Sequence, residues 1–183
     1  MGEVPTNQAL RRDGAKVDDE IWVSGTLGAA ALGLAELQNK ITLPFNIKQG
    51  CIDALQNPQP RVALGLALRG IAHSAIDISD GLLADLSHIL DCSNLGASLQ
   101  MESIPKMDIQ HPLLQTLTLA GGDDYELCFT APASAHQDIL AIGQQLNLKL
   151  SQIGVCHHQT GLKVLDNNQQ AISLKSTGYD HFN

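Results

Sequence analysis

The sequence predicts a mixed α/β fold, with helices layered on a sheet around one core. Two observations carry this. Short apolar or alternating runs of strand length are interleaved with longer runs of helical spacing, but not as regular βαβ units. The 183 residues are 44% hydrophobic yet only 3% aromatic, so they can bury one sizeable core, and it must be built from Leu, Ile, Val and Ala. No internal repeat or low-complexity stretch interrupts the pattern.

Residues 2–19 are polar, with Pro5, Gly14 and the adjacent Arg11 and Arg12. They read as an irregular entry segment, which points to a chain that begins inside a longer protein. Glu20-Ile21-Trp22-Val23-Ser24 is a strand ended by Gly25, and 27–38 is an Ala/Leu-rich helix. Strand, glycine, helix is the layout of a phosphate-cradling turn. Gly25-x-x-Gly28 lacks the lysine of a P-loop and the third glycine of a dinucleotide fingerprint, so close packing of helix on strand stands beside phosphate contact. Residues 41–45 form a linker through Pro44, and 47–55 a short helix. Pro58 and Pro60 mark a turn, with Pro60 in the first turn of a helix over 61–71. The run 75–78 hands over to a helix capped by Ser79 or Asp80. Leu82, Leu83, Leu86, Ile89 and Leu90 recur at helical spacing to about Cys92, and Gly96 suits a left-handed C-cap. Residues 97–102 alternate as a strand, 111–119 form a weak helix and 120–124 a tight turn. A strand follows over 125–130, then a helix over 133–146 opening at Ser134, then a strand over 149–155. The runs 161–166 and 171–174 straddle Asp166-Asn167-Asn168 as a hairpin.

The net charge is -8, without a basic run, which argues against nucleic-acid binding. Phosphates can still bind an acidic protein if Mg²⁺ or a helix terminus offsets the repulsion. No run approaches the ~20 apolar residues of a membrane helix, and no signal peptide is visible. The four cysteines form no C-x-x-C pair and read as scattered core thiols of a reducing, cytoplasmic compartment.

Three stretches carry residues of chemical interest. Asp77-x-Ser79-Asp80 places two carboxylates and a hydroxyl where a strand meets a helix N-terminus, a set of oxygen donors that suits Mg²⁺ with phosphate. Helix capping explains one acid there, but not Asp77 inside an apolar run, where a charge is costly unless paired. Asp85, one turn on, reads as exposed or structural. Gly121-Gly122-Asp123-Asp124-Tyr125-Glu126 combines two glycines, which let backbone approach a ligand, with three acids; a solvated turn is the alternative. Within it Glu126 would face a pocket while Asp123 or Asp124 orders the loop. Gly178-Tyr179-Asp180-His181-Phe182 holds two of the chain's six aromatics, either to stack on a flat ligand or to anchor a tail. Cys156-His157-His158 makes a poor metal site, since strand neighbours point to opposite faces. His73, His88, His111 and His136 read as isolated surface residues.

Taken in order, GEVPTNQALRRDGAK, VSGTL, IDISDGLL, GGDDYELCFT and GYDHF resemble the thiamine-monophosphate kinase family. The resemblance runs from end to end of this chain but covers only that family's C-terminal half and a little more. IDISDGL alone is shared with the superfamily of aminoimidazole-ribonucleotide synthetase; the last two stretches narrow it. The resemblance implies the C-terminal domain of the synthetase-like fold, a mixed sheet flanked by helices, over residues 20–183, with 1–19 as an interdomain segment. It implies in-line, ATP-dependent phosphoryl transfer to thiamine monophosphate, giving thiamine diphosphate. By motif position, Asp77 and Asp80 would be Mg²⁺ ligands, and Ser79 and Arg12 would bind nucleotide. Glu126, or Asp124, would contact thiamine phosphate, and Tyr179 would stack near the substrate rings. The family's N-terminal domain, which adds further metal-binding aspartates, a nucleotide loop and much of a homodimer interface, is absent. Little or no kinase activity is therefore expected of the chain alone. A catalytically silent nucleotide- or partner-binding domain and a related synthetase domain are the alternatives.

Overall fold

The structure, a computed structural model, describes residues 3–172. Strand β1 (Glu20–Ser24) leads into helices α1 (Ala29–Leu37), α2 (Phe45–Gln56) and α3 (Val62–Ala67), then β2 (Ser74–Ile78) and α4 (Leu82–Ser93). Next come β3 (Gly96–Gln100), α5 (Leu114–Ala120), β4 (Glu126–Ala131), α6 (His136–Gln145), β5 (Leu150–His157) and β6 (Gly161–Leu165). The strands form one mixed sheet in the order β2-β4-β1-β5-β3-β6, antiparallel except for the parallel β3–β6 pair. This is the mixed α/β architecture that the sequence predicts.

Side-chain alternation along β1 separates two cores. Ile21 and Val23 point into a core shared with Ile78, Leu82, Leu86 and Ile89, so the apolar stripe of α4 covers that face. Trp22 points the other way, among Phe129, Leu64, Leu68 and Ile139 from β4, the α3 region and α6. Its ring stacks on Phe129 with centroids 6.3 Å apart, and both are buried. Truncating either to Ala should cost about 3–5 kcal/mol. A third cluster, Leu32, Ala35, Ile41, Leu43 and Cys51, joins α1 to α2.

Several boundaries differ from the sequence expectation, mostly for reasons of backbone conformation. Helix α4 is entered through Gly81 at φ 120°, not through a Ser79 or Asp80 cap, and the left-handed residue at its end is Asn94, not Gly96. Pro60 precedes the N-cap residue Arg61, and α3 stops at Ala67. A 3-10 turn over Ala133–Ala135 precedes α6, so Ser134 caps nothing. Around Asp166 the chain reverses with a single bridge, Leu165 to Ala171, and residues beyond 172 lie outside the described range. Three of the four free cysteines are buried, but Cys92 is exposed and is no core thiol. His73 and His136 are half-buried rather than isolated: His73 Nδ1 lies 2.9 Å from Asp19, and His136 Nδ1 2.9 Å from Glu20. No helix among the described residues is long and apolar enough to cross a membrane.

Candidate functional site

The sheet ends on one side at β2, and the Asp77 motif sits on that edge. Asp77 is exposed, with Ile78 buried beside it. Asp77 shares a face of the sheet with Ala75, opposite Ile78, and lines two surface grooves there, so its charge reaches solvent rather than the core, and the expectation of a buried carboxylate is corrected. The chain before β1 runs along the outer side of this strand: the Ala75 amide donates to the Arg11 carbonyl at 2.9 Å. Leu10 and Ala15 from the same segment pack into the two cores. Arg12 and Asp77 thereby line one groove of about 430 Å³, together with Arg11, Asp13 and Cys92. The Arg11 guanidinium is held by Asp13 at 2.5 Å, which leaves Arg12, exposed, as the groove's other guanidinium.

At the end of β2 the chain turns through Ser79, Asp80 and Gly81 into α4. The amides of these three residues donate to one oxygen of Asp85, at 3.0, 3.0 and 3.1 Å. Asp85 is 2% exposed, so the acid that reads as exposed or structural is buried and structural. Burial pushes its carboxyl up from the ordinary value, against the three amides that favour the anion.

The loop 121–125 docks on this turn. Asp123 donates its amide to the Ser79 carbonyl at 2.9 Å, and Tyr125 donates to the Ile78 carbonyl at 2.8 Å. Glycine is needed here: a Cβ on Gly122 would lie 2.5 Å from the Ser79 oxygen. Asp124 turns the other way and caps α1, accepting from the amides of Gly28 at 2.7 Å and Ala30 at 3.3 Å. Desolvation and the neighbouring Glu126 and Asp123 outweigh those amides and raise its carboxyl to about 7. Gly28 itself lies against α5, where a Cβ would meet Thr118 at 2.9 Å. The Gly25-x-x-Gly28 turn is thus filled by the protein's own groups, as the close-packing reading has it.

Glu126 opens β4 and is 6% exposed. Arg61 grips its carboxylate with two nitrogens at 2.7 and 2.5 Å, and the Ser24 hydroxyl donates to the same group. A Cβ at Gly25 would fall 2.0 Å from this carboxylate. Arg61, Ser24 and the amide-binding role of Asp85 are what sequence reading missed. The signal for Arg61 was indirect: a glutamate at an inward strand position requires a cation, and the chain has only 11 lysines and arginines to supply it. Beside the pair is an apolar pocket of about 420 Å³, lined by Pro58, Pro60, Arg61, Val62, Asp77, Tyr125 and Leu127. Tyr179 and the stretch around it lie outside the described residues.

The structure therefore brings Asp77, Ser79, Asp80 and Arg12 to one edge of the sheet, with Asp124 and Glu126 in the supporting layer behind it. Among the described residues no group of three or more His, Cys, Asp or Glu is arranged to hold a metal. Two carboxylates with a hydroxyl between them still fit Mg²⁺, which commonly takes one or two protein carboxylates and completes its shell with water and substrate phosphate.

Residues 16–167 match the family model of the AIR synthase related protein, C-terminal domain. The thiamine-monophosphate kinase of Salmonella typhimurium is 39% identical over 189 residues, covering 99% of this chain and 58% of that protein. Among solved structures, thiamine-monophosphate kinase from Stenotrophomonas maltophilia superposes with a TM-score of 0.84 at 40% identity, over 92% of this chain and 56% of its own. AaThiL complexed with AMPPCP and TMP follows at 0.75 and 26% identity, over 94% and 54%. The chain spans a little over half the length of each of these relatives. By the family match over most of its length, the chain belongs to the family of AIR synthase related C-terminal domains.

Proposed function

We propose that this chain is the C-terminal part of a thiamine-monophosphate kinase and supplies one wall of its ATP and thiamine-phosphate site. The observation that carries the reading is the docking of the Gly121–Tyr125 loop on the Ser79 turn by two backbone hydrogen bonds. It joins the two motifs that the resemblance assigns to metal–nucleotide and to substrate. On this reading Asp77 and Asp80 bind Mg²⁺, while Ser79 and Arg12 bind the nucleotide. Asp124 and Glu126 serve the thiamine phosphate side, and Tyr179 stacks near its rings. Residues 1–19 lead in from a preceding domain that completes the site, and the full-length protein is a cytoplasmic homodimer.

The reaction breaks the bond between the β–γ bridging oxygen and the γ-phosphorus of ATP. It forms one from that phosphorus to a phosphate oxygen of thiamine monophosphate, and ADP leaves. The nucleophile is a phosphate oxygen, largely deprotonated at neutral pH since the second ionisation lies near 6. No general base is required of the chain. Mg²⁺, when bound, neutralises charge on the transferring phosphoryl group. Of the chain's own residues, Arg12 from the segment along β2 would hold phosphate oxygens directly, while the Asp77 and Asp80 carboxylates at the strand end would hold the cation that binds the others. Positioning of this kind carries most of phosphoryl-transfer catalysis.

The test is thiamine diphosphate formation from ATP, Mg²⁺ and thiamine monophosphate. The chain alone is expected to form little or none. Fused behind the N-terminal portion of the Salmonella relative it should turn over, and Asp80→Asn in the fusion should lower kcat by about 10²-fold or more. A fusion that folds yet makes no thiamine diphosphate overturns the reading. A second reading, a domain that binds nucleotide without turnover, predicts binding by the fusion and no product.

A further inference from the structure

We propose that Asp85 is a positioning residue for the metal–nucleotide motif, holding the Ser79–Gly81 turn and closing that turn to phosphate. The proposal rests on the functional reading above. Three consecutive amides converging on one point form an anion-binding nest, the device that many proteins use to hold a substrate phosphate at a helix start. Here the nest is already full. A single oxygen of Asp85 takes all three amides at 3.0–3.1 Å, and the residue is buried within α4. The Asp85 amide in turn donates to the Gly81 carbonyl at 3.0 Å, closing the loop from both ends.

The rest of the turn is equally constrained. Gly81 adopts φ 120°, and a Cβ there would lie 2.9 Å from the Ala120 carbonyl carbon. The Ser79 carbonyl is taken by the Asp123 amide. The three amides of the turn and the Ser79 and Gly81 carbonyls are thus engaged within the protein, so the turn has no amide to offer a phosphate. Nucleotide phosphate must then be held through a cation carried by Asp77 and Asp80, and by Arg12, rather than by the helix terminus. Removing the Asp85 carboxylate should weaken a bound divalent ion because the turn that carries Ser79 and Asp80 loosens.

A merely structural role predicts lost stability with unchanged metal affinity, which separates the two. The experiment measures binding of Mn²⁺, a spectroscopic stand-in for Mg²⁺, together with AMPPCP to the fusion behind the N-terminal portion of the Salmonella relative, by titrating the free Mn²⁺ signal. Asp85→Asn keeps size and one acceptor oxygen; Asp85→Glu keeps the charge but displaces the oxygens from the three amides. Leu83→Ala, in the same helix turn but facing the core, serves as the stability control. Both Asp85 variants should weaken Mn²⁺–AMPPCP binding about tenfold or more, the usual effect of losing a group that orients a metal ligand, while Leu83→Ala stays within about twofold. Equal binding by wild type and Asp85→Asn overturns the proposal alone. If neither Asp85 variant folds in the cold, Asp85 is a stability residue and the proposal falls. A wild-type fusion that folds but binds no Mn²⁺–AMPPCP overturns the functional reading and this proposal together.

Discussion

At the residue scale, the Arg61–Glu126 pair decides whether the start of β4 holds its place. Glu126 is 6% exposed, and its two oxygens are shared between a bidentate guanidinium and the Ser24 hydroxyl. A buried carboxylate that loses its cation is left with an uncompensated desolvation cost. Arg61→Leu should therefore destabilise by about 3 kcal/mol in urea unfolding. Arg61→Leu with Glu126→Leu should recover most of it; a double variant as unstable as the single would show that packing rather than charge sets the cost. Asp124 behaves differently, because its carboxyl is raised to about 7. The folded chain binds that proton more tightly than the unfolded one, so folding takes up a proton between the ordinary value of 3.8 and about 7. Stability from this group is complete at the acid end and is lost as pH rises through about 7. Asp124→Asn, which can still cap α1, should raise stability at pH 8 by the order of 1 kcal/mol after allowing for its partial exposure, and flatten the slope between pH 5 and 8. An equal loss of stability at both pH values would mean that the carboxylate is ionised and stabilising throughout.

At the element scale, two of the helices that start near the site, α1 and α4, are plugged by carboxylates of the chain itself. Asp124 reaches the first amides of α1 across 96 residues of sequence, and Asp85 turns back on the entry to α4. Inorganic phosphate without a divalent cation should therefore leave the melting temperature unchanged, although helix N-termini are ordinarily good anion sites; a clear upward shift would contradict this. The identity and order of nearly all elements were legible in the sequence, because apolar spacing of 2 and 3.6 residues is a local signal. Their ends were not. A side chain of capping type at Ser79, Asp80 or Ser134 does not cap unless the backbone turns there, and at α4 the turn is made by Gly81 while Asp85 takes the amides. The same limit applies to the site. Asp77, Ser79 and Asp80 stood out as a motif, but that Asp77 is exposed follows from the grooves left beside it by the segments 10–13 and 58–62, which only the packing of distant parts of the chain decides. Arg61 and Glu126 lie 65 positions apart, and no local pattern links them.

At the scale of the whole molecule, the site exists because one sheet edge is covered by a segment with no regular structure. An uncovered edge strand offers unpaired backbone groups to other chains. Here residues 10–16 occupy that side of β2: Leu10 and Ala15 enter the cores, Arg11 accepts from Ala75, and a Cβ on Gly14 would collide with the His73 carbonyl oxygen. The same segment presents Arg12 to the groove that Asp77 lines. Edge protection and nucleotide binding are thus predicted to be separable functions of adjacent residues. Arg12→Ala removes the side chain beyond Cβ but leaves the backbone cover of β2, and should weaken AMPPCP–Mg²⁺ binding about tenfold, the scale of one charge-assisted hydrogen bond, with the chain still monodisperse by light scattering. Removal of residues 3–13 should weaken binding at least as much and also produce self-association, since it bares the Ala75 amide and the apolar surface under Leu10. A truncated chain that stays monodisperse would show that β2 needs no cover. An Arg12→Ala chain that binds nucleotide as the wild type does would move the phosphate contact elsewhere on this edge.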